Sequence, residues 1–137
     1  MGRVIRAAVA RGPSAREWAV TDITCDLDGL QFIVGGPIEC LQWAGLELVC
    51  NEEGKINGCR PTVALVELRE ERGVIRSITH DVIHGPLIMH GSLDSEGRML
   101  GLTPLQEAGL ERWIERGPGA SRPGEYLVPV EGMDVRR

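Results

Sequence analysis

Lysine is almost missing from this chain: Lys55 stands alone against fourteen arginines. Nothing in that ratio is chemical, and it fits the codon bias of a GC-rich genome. Aromatic residues are almost as scarce, with Trp18, Trp43, Trp113, Tyr126 and Phe32 the whole set. A single-strand nucleic-acid binder needs several stacking aromatics beside a basic groove. The net charge of −5 argues against a duplex binder as well, because affinity for a polyanion comes from cations that neutralise phosphates. No run approaches the roughly 18 apolar residues of a membrane span. Arg3 and Arg6 interrupt the apolar stretch at 1–10, which lacks a long apolar core and a small-residue cleavage site. Cytoplasm is therefore the expected compartment, where Cys25, Cys40, Cys50 and Cys59 are expected to be reduced core thiols. None of them forms the Cys-x-x-Cys knuckle of a structural zinc. There is no Gly-x-Ser-x-Gly elbow, no phosphate loop and no dinucleotide fingerprint, so the commonest hydrolase and dehydrogenase routes are closed. No cofactor is implied.

What is present suits one α+β domain over 1–130 with a flexible tail at 131–137. At 137 residues, 42% hydrophobic and 26% charged, the chain can bury a core without disulfides. It is expected to be a monomer or a small oligomer such as a homodimer. Residues 3–10 and 17–23 read as a strand hairpin. Thr24 or Asp26 can cap a short helix from about Leu27 to Val34, stopped by Gly35-Gly36-Pro37. If Ala44-Gly45 is the two-residue loop of a second hairpin, Trp43 lies opposite Leu46, Leu41 opposite Leu48 and Glu39 opposite Cys50; Ala is a poor first residue for such a turn, and a slip of one residue would reverse these facings. Asn51-Glu52-Glu53-Gly54 suits a type I turn followed by a left-handed glycine, and Asn57-Gly58 a second turn. Pro61 can open a helix over 62–71, although the β-branched Thr62, Val63 and Val66 leave a strand as the alternative. A strand is expected at Leu87–His90. Thr103-Pro104-Leu105-Gln106 is a helix start with a capping box, which makes 103–116 the most strongly signalled element. A loop follows at 117–124, then a last strand at 125–130. The fold expected is a mainly antiparallel sheet with the helices at 26–34 and 103–116 packed on it.

The order of signals Val34-Gly35-Gly36-Pro37-Ile38-Glu39, then Cys50-Asn51-Glu52-Glu53-Gly54-Lys55, then Asp81-Val82-Ile83 with Gly85, then Leu102-Thr103, resembles a phage- and plasmid-associated family. It is the domain-of-unknown-function family numbered three thousand eight hundred and forty-six, and the resemblance covers roughly residues 27–115. Pro37 stands where the family pattern has Tyr. Gly58-Cys59-Arg60-Pro61 stands where it has Leu-Pro-x-Asn, so no role of that Tyr or Asn transfers. The resemblance implies a mobile-element context and no catalytic residues.

Glu39 and the turn Asn51, Glu52 and Lys55 are brought near each other by the hairpin register. With Asp81 and His84 they form the candidate ligand- or partner-binding set. The competing account is that Asn and Gly serve turn geometry while the charges are solvated. His80, Asp81, His84 and His90 are the nearest approach to a metal set, but a His-x-x-x-His pair needs a helix that Gly85-Pro86 disfavours. Cys50 beside Glu39 is expected to be a buried thiol filling the sheet. The expected function is a non-enzymatic accessory protein that binds a host protein or a small-molecule ligand. A metal-assisted hydrolase using Glu39, His80, Asp81 or His84, or a nucleic-acid regulator, are the alternatives.

Overall fold

The computed structural model describes residues 3–116 and 122–132. The first hairpin pairs β1 (Arg3–Ala10) with β2 (Trp18–Cys25) from Arg3↔Cys25 to Ala10↔Trp18. A 3-10 turn at Ala15–Glu17, capped reciprocally by Ser14 and Glu17, reverses the chain between them. Asp26 caps α1 (Leu27–Val34) by accepting from the Gly29 N–H, and Gly35 ends it in the left-handed region at φ 85.

The second hairpin, β3 (Ile38–Trp43) and β4 (Leu46–Asn51), has the expected register, with Trp43↔Leu46, Leu41↔Leu48 and Glu39↔Cys50. Its turn places Ala44 at φ 57 and Gly45 at φ 74. Two positive φ values in a two-residue loop match the twist of the flanking strands, at a cost for a non-glycine residue.

Residues 62–71 are not a helix. They belong to β5 (Pro61–Glu71), which pairs with β6 (Val74–His84) on one side and β8 (Gly124–Pro129) on the other. Thr62 to Val66 is buried without interruption. A central strand covered on both faces carries apolar residues at every position, so its period does not distinguish strand from helix. Val63 and Leu65 point into one apolar cluster, and Ala64, Val66 and Leu68 into another.

The strands divide into two antiparallel sheets rather than one. A five-stranded sheet has the order β2-β1-β7-β4-β3, with β7 (Leu87–His90) in the middle, and a three-stranded sheet has the order β6-β5-β8. The sheets face each other across a core that includes Leu48, Leu87 and Met89 from the larger and Val63, Leu65 and Leu127 from the smaller. They meet where β4 lies by β6 and β3 by β8. On its other face the larger sheet packs Ile5, Val9, Val49 and Ile88 against Leu30 and Val34 of α1.

The second helix, α2 (Pro104–Arg116), begins with the expected capping box. Thr103 Oγ1 accepts from the Gln106 N–H at 3.1 Å, and Gln106 Oε1 accepts from the Thr103 N–H at 2.9 Å. Its Leu110 reaches the inter-sheet core, with Trp113 and Ile114 beside it. The result is a single α+β unit. The 117–124 loop lies outside the described residues for 117–121, as does the tail expected at 131–137 from residue 133 onward. Val130–Gly132 form a short 3-10 turn.

Candidate functional site

The six residues singled out in the sequence converge. Glu39, Asn51, Glu52, Lys55, Asp81 and His84 line one cleft of about 250 Å³, together with Cys50, Val82 and Ile83. Three elements build it: the start of β3, the turn leaving β4, and the end of β6.

Asn51 organises the turn. It is buried; its Nδ2 donates to the Val34 carbonyl at the end of α1 (3.2 Å), and its Oδ1 accepts from the Glu53 N–H at 2.8 Å. Its amide is thus committed to backbone and ties α1 to the turn. The Glu52 N–H donates to the Pro37 carbonyl at 2.8 Å, which draws the turn toward the entry of β3.

Gly54 is needed for a reason other than the one expected. Its φ is not in the left-handed region. Instead its Cα packs so tightly on the His84 backbone that a Cβ would overlap the His84 carbonyl oxygen. This close approach carries Lys55 to the end of β6, where Lys55 Nζ donates to Asp81 Oδ1 at 2.8 Å. The same oxygen accepts from the Val82 N–H at 2.8 Å. Partial burial by itself would raise the Asp81 pKa. The Lys55 and Val82 hydrogen bonds, with the Lys55 and His84 charges, outweigh it and hold the carboxyl below its usual range.

His84 Nδ1 lies 3.0 Å from the Cys59 carbonyl oxygen, to which it donates, so in the neutral ring Nε2 is the acceptor. Cys50, read from the sequence as a core thiol, is buried and also faces the cleft. Its Sγ donates to Glu39 Oε1 at 3.8 Å. Burial, and then the Glu39 carboxylate, push this thiol up to about 12. It is a neutral donor at physiological pH and not a thiolate nucleophile.

His80 lies apart from this arrangement. The β5–β6 register skips it, pairing Leu65 with Asp81 and Val66 with Thr79. This bulge aims its ring at Trp43, with centroids 5.1 Å apart, and its Nε2 at Glu67 Oε1, 2.6 Å away. Bulges are known for re-aiming side chains in this way, and no sequence signal marks this one. His90 is buried. Among the described residues no group of three or more His, Cys, Asp or Glu side chains is disposed to hold a metal ion.

The family model described as Domain of unknown function (DUF3846) matches residues 5–116. The chain belongs to that family. The match begins upstream of the resemblance read at 27–115 and takes in β1 and β2, whereas β8 lies beyond it. No curated protein and no solved structure matches this DUF3846 chain. Among its described residues no helix is long and apolar enough to cross a membrane.

Proposed function

We propose that this DUF3846 protein is a non-enzymatic accessory protein of a phage or plasmid, acting in the cytoplasm by binding a host protein or a small ligand. Host takeover or counter-defence is its physiological role in this reading. The observation that carries the binding reading is the convergence of Glu39, Asn51, Glu52, Lys55, Asp81 and His84 on one small polar cleft. The mobile-element context rests on the family's associations, which is support by analogy.

The state of the cleft's reactive groups favours binding over catalysis. A general acid at neutral pH needs a carboxyl with a raised pKa, and that of Asp81 is lowered. A cysteine nucleophile needs a depressed one, and that of Cys50 is raised.

The test is a pull-down from host lysate with wild-type and Asp81→Asn baits, followed by native mass spectrometry of each. A host protein or small molecule retained by the wild type and lost from the variant is the expected result. A wild-type bait that returns empty, or a partner held equally by both baits, would overturn this reading.

A further inference from the structure

Among the described residues each sheet ends in two strands that pair on one side only, β2 and β3 in the larger and β6 and β8 in the smaller. An open edge invites a further strand, and native chains blunt it with bulges, proline, lysine or a covering element. Three of these edges are blunted. β6 is bulged at His80, where its register with β5 shifts. β8 begins at Gly124 and ends at Pro129. β3 is held toward β8, with the Trp43 indole on the Tyr126 carbonyl and the Ala44 N–H on the Glu125 carboxylate. β2 has none of these devices. Its eight residues keep an unbroken register with β1 and include no proline, glycine or lysine. Its one charged residue, Asp22, is engaged by Arg6 of β1 at 3.6 Å.

The ladder fixes which backbone groups of β2 are open. The Arg6 carbonyl accepts from the Leu102 N–H at 2.8 Å, so it turns away from Asp22, its partner in the register. At the turn the Arg11 N–H donates to the Glu17 carbonyl. Bonded and non-bonded pairs alternate along an antiparallel ladder, so Thr21 and Ile23 bond β1 while the backbone groups of Val20, Asp22 and Thr24 face outward. The Trp18 carbonyl faces outward too, but its N–H is taken by the Ala15 carbonyl. Beside this edge Phe32 of α1 is 89% exposed, and with Arg11, Thr21, Ile23 and Ile33 it lines an open cavity of about 300 Å³. Ala19, on the same face of β2 as Thr21 and Ile23, is small and exposed.

The two ends of the edge carry opposite charges. Arg11 and Arg16 are exposed at its start, and Asp28 is exposed at its finish beside Asp26, the cap of α1. The opposing charge at each end is engaged elsewhere. Glu17 accepts from the Ser14 N–H and lies 3.5 Å from Arg60, and Arg3 donates to the Met99 carbonyl. An edge that is basic at one end and acidic at the other complements itself when antiparallel, which is the arrangement a two-fold axis imposes. We propose that the chain forms a homodimer by antiparallel pairing of β2 with β2 of a second copy, joining two five-stranded sheets into one of ten strands. With the axis at Thr21, Val20 bonds Asp22 of the second copy, and the Thr24 N–H donates to the second copy's Trp18 carbonyl. The groups this register leaves unused are the Trp18 N–H, already bonded, and the Thr24 carbonyl, which packs against Gly29. Ile23 then faces Ala19 of the second copy, Phe32 fills the space over that small residue, and Arg16 meets Asp28. This edge is the far side of the larger sheet from β3 and β4, so the dimer leaves the cleft open in both copies.

One strand pair with its flanking side chains makes a small interface, so the association should be reversible. Sedimentation equilibrium of the full chain over a range of concentrations should show a monomer–dimer equilibrium. Phe32→Ser, at an exposed position, should weaken the dimer by about tenfold. Arg16→Glu or Asp28→Arg alone should also weaken it, and the two together should restore it, a rescue that damage to the fold would not produce. Residues facing each other in a non-hydrogen-bonded antiparallel pair have Cα atoms roughly 4.5 Å apart, within reach of a disulfide. Thr21→Cys in a Cys40→Ser background should therefore give a covalent dimer with oxidised glutathione, linked through position 21 by peptide mapping. Ala19→Cys in the same background should not.

The proposal is overturned if the chain stays monomeric up to about 1 mM. It is equally overturned by a dimer that Phe32→Ser leaves unchanged and that does not cross-link at position 21, since its interface would lie on another face. Failure of the reversed charge pair to restore the dimer would remove the antiparallel arrangement. A monomer whose β2 amides gain protection from hydrogen exchange only on binding another protein would give this edge to that protein's strand instead of a second copy.

Discussion

His90 closes β7 with 2% of its surface exposed, and its Nδ1 has no hydrogen-bond partner among the described residues. Burial lowers its pKa from 6.5, and the backbone of Leu100 and Gly91 and the charge of Glu47 only partly oppose this. The unfolded chain then takes up a proton more readily than the folded one. Stability should be full above about pH 6.5 and fall as the pH drops through the folded value, with a slope of up to about 1.4 kcal/mol per pH unit. Urea denaturation at a series of pH values checks this, and His90→Gln should flatten the slope just below about pH 6.5. The lowered carboxyls of Asp81, Asp94 and Glu67 act only below their ordinary values of 3.8 to 4.5, so the two regimes separate. Cys50 offers a second measurement. With its thiol at about 12, on the order of one in ten thousand is ionised at pH 8. Iodoacetamide should leave Cys50 unmodified in the native protein while the exposed Cys40 reacts first. Peptide mapping that finds both labelled at equal rates would contradict the environment described for Cys50.

Single elements carry a different kind of information, and here much of the candidate site was readable. Asp26, Gly35 and the Ala44-Gly45 loop are local signals, and they set the register that places Glu39 opposite Cys50. The Thr103–Gln106 capping box is equally local, and Thr103→Ala should cost α2 about 1 kcal/mol, measurable as a lower denaturation midpoint. The nonlocal features were not legible. The helix expected at 62–71 failed because Thr62 to Val66 is buried without interruption, and a buried strand with apolar residues at successive positions has no period that separates it from a buried helix. The need for glycine at position 54 was legible, but its cause was not. No turn rule reports that the backbone must lie against His84, thirty positions along the chain. Gly54→Ala should therefore destabilise by roughly 1–3 kcal/mol through steric overlap. It should also displace Lys55 from Asp81. A Gly54→Ala protein with wild-type stability would mean the turn can retreat from β6 freely.

At the scale of the whole molecule, the two sheets do not have separate cores. Leu48, Leu87 and Met89 of one pack in the same cluster as Val63, Leu65 and Leu127 of the other, and Leu110 of α2 joins them. The Trp43 indole N–H donates to the Tyr126 carbonyl at 3.0 Å, which bonds β3 directly to β8. This partition into two sheets could not be read from a chain in which β7 returns to the larger sheet after β5 and β6 and β8 goes back to the smaller, because strand order is set by contacts far apart in sequence. Its consequence is that neither sheet can lose the other and keep its apolar face covered. Unfolding should then be a single cooperative transition, with far-ultraviolet and near-ultraviolet circular dichroism curves that coincide. Leu48→Ala, in the shared core, should cost about 2–5 kcal/mol and move both curves together. Asp81→Asn, which breaks only a half-exposed ion pair, should cost less than about 1 kcal/mol. Its fold would remain intact, and that allows loss of binding in this variant to be read as loss of the cleft's chemistry. Two separated transitions, or a Leu48→Ala variant that melts one probe and spares the other, would show that the sheets are independent units.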